Sequence, residues 1–316
     1  MNIVVLDGFT ANPGDLDWKK LEALGRLTVY ERTPQDKILL RCADAEIIYT
    51  NKTELSGDML SRMKSLKFVG VLATGYNVVD IDAARKLGIT VCNVPSYSTM
   101  SVAQNVFSLI LEITNSVGHY TEEVRNGKWS TCKDFSFTDT AIIELAGKQI
   151  GIIGYGEIGR RVAAIAQAFG MKVGAFSSKS QEDIFPVKKM QLDELFSTSD
   201  ILTLHCPLTP QTHHIVNKET LRLMKKSAIL INTGRGPLVE ESALAEALNT
   251  GIIAAAGLDV LADEPPREDN PLLSAPNCFI TPHISWATKE ARSRLIEVSV
   301  SNLEAFLAGK PQNVVS

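Results

Sequence analysis

The stretch QIGIIGYGEIG, residues 149–159, joins a strand, a glycine-rich turn and the start of a helix. Its first five residues are mostly apolar and predict a buried strand. Gly154, Gly156 and Gly159 follow in the pattern GxGxxG, which between a strand and a helix is typical of dinucleotide-binding domains. We expect Gly154 to permit the tight turn, Gly156 to let the backbone approach a pyrophosphate, and Gly159 to let the helix pack closely on the strand. Three further residues complete the predicted cofactor-binding turn: Tyr155, Glu157 and Ile158.

Strand and helix patterns alternate on both sides of this turn. Apolar runs predict strands at 3–6, 28–31, 47–50, 68–72 and 91–94, and then at 149–153, 172–176, 201–205, 228–232, 254–259 and 278–280. Between the two series, a helix that is apolar on most of its circumference extends from about Thr99 to Val117. This alternation predicts parallel sheets covered by helices. For 316 residues, we expect two doubly wound α/β domains.

The composition argues against several classes of protein. The net charge is −4 with no basic block, which predicts no nucleic-acid partner. No apolar run is long enough to span a membrane, and Met1–Gly8 has the pattern of a first strand rather than a signal peptide. The five cysteines are scattered and odd in number, which predicts a reducing, cytoplasmic protein without disulfides or a metal site.

The segment after the second strand of the nucleotide-type series bears on the choice of cofactor. NAD sites usually place a carboxylate about twenty residues beyond the glycine turn, to bind the ribose 2′-hydroxyl. Here that strand is followed by Ser177, Ser178 and Lys179. Two hydroxyls and an ammonium can bind a 2′-phosphate through charge-assisted hydrogen bonds. The sequence therefore predicts NADP in preference to NAD.

Three segments at predicted strand ends carry reactive side chains. Arg235 lies between two glycines after strand 228–232, Glu264 follows strand 254–259, and His283 follows strand 278–280. Ligands of open α/β sheets bind at the carboxyl ends of the strands, so we expect these side chains at one site. The remaining histidines lack such a setting and are predicted to be structural or at the surface: His119, His205, His213 and His214.

Over nearly its whole length the chain resembles the D-isomer-specific 2-hydroxyacid dehydrogenases. The matching segments are 151–159, 204–212, 224–237, 257–265 and 281–284. Within that family, Ala73–Asp80 and His283–Ala287 are most similar to glycerate dehydrogenases, also called hydroxypyruvate reductases. The resemblance implies a Rossmann-type NAD(P)-binding domain at 98–289, inserted in a smaller flavodoxin-like substrate domain formed by 1–97 and 290–316. It also implies a homodimer formed through the long helix and its neighbouring segment, up to about Ser136.

The resemblance assigns roles to individual residues. Arg235 is expected to hold the substrate carboxylate, His283 to transfer the proton, and Glu264 to orient His283 and favour its protonated form. The backbone of Ala73, Thr74 and Gly75 corresponds to a second carboxylate anchor. Further residues are expected near the cofactor: Cys206, Pro207, Thr212, Thr233, Gly234 and Asp259. Trp286 is expected either to shape the substrate pocket or to be a core aromatic.

These expectations describe an oxidoreductase that transfers a hydride between a nicotinamide cofactor and a small 2-keto acid. Hydroxypyruvate with D-glycerate, or glyoxylate with glycolate, are the favoured substrate pairs. Two alternatives stay open at this point. One is another 2-keto acid reductase, such as a phosphoglycerate dehydrogenase. The other is a non-catalytic dinucleotide sensor, similar to the transcriptional corepressors that share this fold.

Overall fold

The computed structural model describes residues 1–184 and 186–316, which form two compact units. The first comprises Met1–Ser98 and Trp286–Ser316, and the second comprises Thr99–Ser285. The predicted division placed Ser98 and residues 286–289 in the second domain instead. Trp286 packs against the core of the first unit, and its ring centroid lies 6.5 Å from that of Tyr97. The roles predicted for the two domains, substrate binding and nucleotide binding, stay predictions.

The first unit is built on a parallel sheet, and all of its residues are described. Its strands are β1 (Asn2–Val5), β2 (Arg26–Val29), β3 (Ile47–Thr50), β4 (Phe68–Val71) and β5 (Thr90–Cys92). Its helices are α1 (Gly8–Ala11), α2 (Lys19–Glu22), α3 (Ile38–Arg41), α4 (Gly57–Arg62), α5 (Ile81–Lys86) and the terminal helix (Lys289–Leu307). The strand order β2-β1-β3-β4-β5 is the flavodoxin-like order.

The second unit contains a larger parallel sheet. Its strands are β6 (Gln149–Ile153), β7 (Lys172–Phe176), β8 (Lys188–Lys189), β9 (Ile201–Leu204), β10 (Ile229–Asn232), β11 (Ala255–Leu258) and β12 (Cys278–Ile280). Its helices are α6 (Thr99–Asn115), α7 (Val117–Arg125), α8 (Glu157–Ala168), α9 (Gln181–Ile184), α10 (Leu192–Thr198), α11 (Lys218–Leu223) and α12 (Glu241–Asn249). The order β12-β11-β10-β9-β6-β7-β8 contains the Rossmann arrangement, with the order reversing beside β6. The prediction of two doubly wound parallel-sheet domains is confirmed.

Both sheets are buried on their two faces. In the second unit, Ile152 and Ile153 belong to different hydrophobic clusters. In the first unit, Val4 and Val5 are divided in the same way. Successive strand residues point to opposite faces, so each sheet lies between two apolar layers. Among the described residues, no helix is long and apolar enough to cross a membrane.

Two local features differ from the sequence-based expectations. The long helix was expected to reach Val117, but α6 ends at Asn115 because Ser116 adopts a left-handed conformation with φ of 51°. A new helix, α7, then begins at Val117. Strand β8 was not predicted, because its two lysines provide no apolar run.

Candidate active site

The glycine-rich turn has the geometry that the GxGxxG pattern predicts. Gly154 adopts a positive φ of 96°, and a Cβ on it would lie 2.5 Å from the backbone nitrogen of Cys206. A Cβ on Gly159 would collide with the carbonyl oxygen of Gly154. These two positions therefore exclude larger residues, because the turn packs closely against the segment after β9 at Gly154 and against α8 at Gly159.

Gly156 differs from its two neighbours in the motif, because the space beside it is open. A Cβ on Gly156 would have no described heavy atom within 4 Å. Gly156 is also the N-cap residue of α8, so it supplies no side chain to bond the first N–H groups of the helix. The open space and the helix N-terminus together fit a phosphate group.

Arg235 lies on a hydrogen-bonded turn that follows β10. The buried Asn232 side chain accepts a hydrogen bond from the Gly234 nitrogen at 3.0 Å and donates one to the Arg235 carbonyl oxygen at 2.9 Å. The exposed Arg235 guanidinium donates to the Gly234 carbonyl oxygen at 2.8 Å. Arg235 forms no ion pair with any residue of the described ranges. Most of its donors are thus available to an anionic ligand.

Thr233, between Asn232 and Gly234, is buried but has an unpaired hydroxyl. Its side chain is only 7% exposed, and its Oγ1 has no hydrogen-bond partner among the residues that the structure describes. A buried polar group without a partner is costly, and it is often explained by a ligand that supplies the missing bond. Thr233 therefore fits its predicted place beside the cofactor.

His283 and Glu264 form a close pair. His283 Nδ1 lies 2.6 Å from Glu264 Oε2, and the Leu261 nitrogen donates to Glu264 Oε1 at 3.3 Å. A carboxylate accepts hydrogen bonds, so His283 Nδ1 carries a proton and Nε2 is left for another partner. Both side chains are partly exposed, at 27% and 33%.

The Arg235 segment also lies against the Glu264 segment. A Cβ on Gly236 would collide with the carbonyl group of Leu261, so the two backbones touch at this point. The strands that precede Arg235, Glu264 and His283 are the adjacent strands β10, β11 and β12. The structure thus brings the three predicted catalytic side chains to one edge of the sheet.

Asp259 follows β11 and is only 1% exposed. Its Oδ1 accepts hydrogen bonds from Thr281 Oγ1 at 2.5 Å and the Ile284 nitrogen at 2.9 Å. Its Oδ2 accepts one from the Ser285 nitrogen at 2.9 Å. All of these bonds hold the loop that contains His283. The predicted place of Asp259 near the cofactor stays a prediction.

The serine- and lysine-containing loop follows β7. Ser177 Oγ accepts a hydrogen bond from the Lys179 nitrogen at 3.1 Å, while Ser178 is exposed. The ammonium of Lys189, on β8, donates to the Lys179 carbonyl oxygen at 2.5 Å. Lys189 is therefore a second cation at this loop, and sequence reasoning missed it. The Lys188-Lys189 pair was the available signal, but its strand was not recognised.

The segment after β9 packs beside the glycine turn. Thr212 Oγ1 donates to the Pro207 carbonyl oxygen at 2.7 Å and closes the loop. Burial raises the pKa of the Cys206 thiol to about 11, so this group is neutral near neutral pH. The backbone contact between Cys206 and Gly154 places this loop next to the predicted cofactor turn.

The other histidines form local contacts. Burial lowers the pKa of His205 to about 3, and its ring nitrogen lies 2.9 Å from Thr203 Oγ1. His119 lies 3.2 Å from an Asp139 oxygen, and the rings of His213 and His214 are 3.9 Å apart. None of these contacts involves the His283–Glu264 pair.

The predicted substrate residues of the first unit follow β4. Thr74 Oγ1 donates to the Val94 carbonyl oxygen at 2.8 Å, and Asn93 donates to the Thr74 carbonyl oxygen at 2.7 Å. These bonds fix the Ala73–Gly75 turn at the end of the strand. Trp286 is partly buried against the core of this unit, which agrees with the core-aromatic alternative. The substrate roles of these residues stay predictions.

The strand order and the glycine-rich turn define a dinucleotide-binding α/β protein, and a histidine–carboxylate pair at the same sheet edge is typical of an enzyme. The family model "D-isomer specific 2-hydroxyacid dehydrogenase, NAD binding domain" matches residues 107–285. The chain therefore belongs to the D-isomer-specific 2-hydroxyacid dehydrogenase family, and the prediction of an oxidoreductase is confirmed.

Individual relatives cover nearly the whole chain. It is 52% identical to the hydroxypyruvate reductase of Blautia hydrogenotrophica, over 100% of both proteins. It is 45% identical to the glycerate dehydrogenase of Methylorubrum extorquens, over 90% of each. Among solved structures, an acyclic imino acid reductase in complex with NADPH and D-Arg is similar, with a TM-score of 0.87, 32% identity and 100% coverage of both chains.

Proposed function

We propose that the protein reduces hydroxypyruvate to D-glycerate, or glyoxylate to glycolate, with a nicotinamide cofactor. The observation that carries this proposal is the His283–Glu264 pair, which follows the strands next to that of Arg235, at the edge of the sheet that also carries the glycine turn. A 2-keto acid offers a carboxylate and a carbonyl oxygen that must gain a proton. The three side chains provide a partner for each of these groups.

In this proposal, Arg235 binds the substrate carboxylate and polarises the adjacent carbonyl group. A guanidinium suits this task because its donors form a planar fork that matches a carboxylate. His283 donates a proton from Nε2 to the C2 oxygen during reduction and accepts it during oxidation. Glu264 accepts the hydrogen bond from Nδ1, which keeps the imidazole oriented.

Residues of the second unit would hold the cofactor. The pyrophosphate would lie at Gly156 and the N-terminus of α8, where the structure leaves room for it. Thr233 Oγ1 would gain the hydrogen-bond partner that it lacks. The nicotinamide ring, when bound, supplies or accepts the hydride. Cys206, Pro207, Thr212, Gly234 and Asp259 are further proposed neighbours of the cofactor.

We also propose that NADP is preferred over NAD. The loop after β7 contains two serines and Lys179 where NAD-binding relatives usually have a carboxylate. Lys189 adds a second ammonium group, in contact with the Lys179 backbone. The similar imino acid reductase was solved with NADPH, which agrees with this proposal.

The proposed assembly is a homodimer formed through α6, α7 and the following segment. Large apolar side chains in this region are exposed: Val117, Val124, Trp129 and Phe135. Phe135 is 90% exposed. Exposed apolar groups gathered in one region mark an interaction site, and a second copy of the chain supplies a matching surface through twofold symmetry.

The proposed function is tested by cofactor oxidation with purified protein. Hydroxypyruvate, glyoxylate, pyruvate and phosphohydroxypyruvate would each be assayed with NADPH and with NADH. We expect fast NADPH-dependent reduction of hydroxypyruvate or glyoxylate. A preference for phosphohydroxypyruvate would point to the phosphoglycerate dehydrogenase alternative. Tight cofactor binding without turnover of any 2-keto acid would favour a dinucleotide sensor.

A further inference from the structure

The loop that contains His283 donates several hydrogen bonds to the buried carboxylate of Asp259. The Asp259 side chain accepts hydrogen bonds from Thr281, Ile284 and Ser285, and the Asp259 carbonyl oxygen accepts one from the His283 nitrogen at 2.8 Å. Every one of these donors lies within two residues of His283 along the chain. The loop is also fastened at its end, where Ser101 Oγ on α6 donates to the Ser285 carbonyl oxygen at 2.5 Å.

These bonds support an unusual backbone conformation at His283. Its φ is 53°, in the left-handed region that residues with a Cβ rarely adopt. Such a conformation persists only where the surroundings enforce it. The conformation matters because it sets the direction of the Cα–Cβ bond, and hence which way the imidazole points. At this φ, Nδ1 meets the Glu264 carboxylate.

We infer that Thr281 and Asp259 are positioning residues that fix the His283 imidazole through the backbone of the 281–285 loop. The inference rests on the proposed function, in which His283 transfers the proton. Burying the Asp259 carboxylate, which is 1% exposed, costs folding free energy. Apolar side chains could fill the same space beneath the loop at a lower free-energy cost. A charged acceptor with three short bonds instead provides direction, because each bond fixes both a distance and an angle.

The Thr281 hydroxyl gives the sharpest test, because it can be removed without changing the size of the side chain. Thr281→Val deletes the donor to Asp259 Oδ1, whereas Thr281→Ser keeps it. Thr114→Val, on α6, is the matched control, since the buried Thr114 hydroxyl bonds only within its own helix.

We expect Thr281→Val to lower kcat by about 10- to 100-fold, the cost of a displacement near 1 Å at a reacting group. Its dissociation constant for NADPH, measured by fluorescence titration, should stay within about threefold of the wild-type value. Thr281→Ser should restore kcat, and Thr114→Val should leave it unchanged. Unchanged kcat in Thr281→Val, or equal losses in Thr281→Val and Thr281→Ser, would overturn the inference.

A readout without turnover separates this inference from the proposed function. The chain has five histidines, so the His283 ring can be assigned in protein labelled with ¹⁵N-histidine by comparison with His283→Gln. We expect one tautomer with the proton on Nδ1 in wild type and Thr281→Ser, and a mixture in Thr281→Val. Wild-type ring signals in Thr281→Val would disprove the positioning role, even if no 2-keto acid were reduced.

Discussion

At the residue scale, the proposed chemistry depends on a few side chains whose neighbours fix them in place. Asn232 holds the Arg235 turn, Leu261 orients Glu264, and Glu264 orients His283. The contact with Glu264 uses His283 Nδ1, so it does not involve Nε2, the atom proposed to transfer the proton. This arrangement of pre-positioned groups is what proton transfer and carboxylate binding require.

His283→Ala should remove the proton donor and leave the cofactor site intact. General acid–base catalysis contributes about 10²–10⁴-fold to rate, so kcat should fall by that factor. The dissociation constant for NADPH should be unchanged, because His283 follows β12 and the glycine turn follows β6. Stopped-flow kinetics and fluorescence titration measure the two quantities, and a variant with near-normal kcat would contradict the proton-transfer role.

The sequence could identify the reactive residues but not those that hold them. Arg235, Glu264 and His283 follow recognisable strands, so topology alone places them at one edge. The bond between Thr281 and Asp259 depends on side-chain directions within an irregular loop. No periodic pattern encodes such directions, and Thr281 was therefore not predicted to have a role.

At the element scale, two glycines of the same turn meet different requirements: one permits close packing, and the other leaves room for the cofactor. Gly159 permits α8 to pack on the turn, whereas Gly156 faces open space. Two alanine substitutions, three residues apart, should therefore have different effects on stability and on cofactor binding.

Gly159→Ala should lower the melting temperature by several degrees, because its Cβ would meet the Gly154 carbonyl group and overpacking typically costs about 1–3 kcal/mol.

Gly156→Ala should melt within about 1 °C of wild type, since φ at this position is −81° and the space beside it is open. Its NADPH affinity should nevertheless fall by at least about tenfold, because the methyl group would occupy the proposed phosphate position. Calorimetry and fluorescence titration check both variants, and tight NADPH binding by Gly156→Ala would place the pyrophosphate elsewhere.

The loop after β7 and strand β8 should together determine the choice of cofactor. Lys179→Met and Lys189→Met should each lower the ratio of kcat/KM for NADPH to that for NADH by roughly 10- to 100-fold, the effect of losing a charge-assisted hydrogen bond of about 1.5–3 kcal/mol. Lys188→Met is the matched control, because the Lys188 ammonium binds Glu194 at 2.7 Å. Equal losses with both cofactors in Lys189→Met would assign that lysine to loop structure alone.

Elements with a strong apolar pattern were predictable, and irregular ones were not. Strands β6, β7 and β12 have the predicted bounds because apolar runs and turn residues mark both ends. The predicted end of the long helix, at Val117, was wrong. The helix ends at Asn115 because Ser116 adopts a left-handed conformation, which no sequence pattern in this segment indicates. Strand β8 consists of two lysines and is defined only by its pairing with β7.

At the scale of the whole molecule, the buried apolar residues form separate clusters in two α/β units. Each unit has its own parallel sheet with apolar clusters on both faces. The chain length and the two series of alternating strands and helices predicted this division. The compact unit begins again at Trp286, whereas the predicted substrate domain begins again at residue 290.

The most exposed large apolar side chain described, Phe135 at 90%, follows α7 in the segment assigned to the dimer. Fully burying a phenylalanine stabilises an interface by about 1.5–3 kcal/mol, and twofold symmetry makes each contact occur twice. Phe135→Glu would lose roughly 3–6 kcal/mol of association free energy, which raises the dimer dissociation constant by about 10²–10⁴-fold. Light scattering at micromolar concentration should therefore give twice the chain mass of 34.4 kDa for wild type and a lower mass for the variant.

Leu40→Glu is the control for that experiment. Leu40 is 73% exposed on α3, in the first unit, and lies outside the proposed interface. The same change from an apolar to an acidic side chain should leave the mass at the dimer value, so a general effect of added charge would be visible as a loss in both variants. A wild-type mass of 34.4 kDa would instead show that the exposed apolar side chains after α6 do not join two copies of this chain.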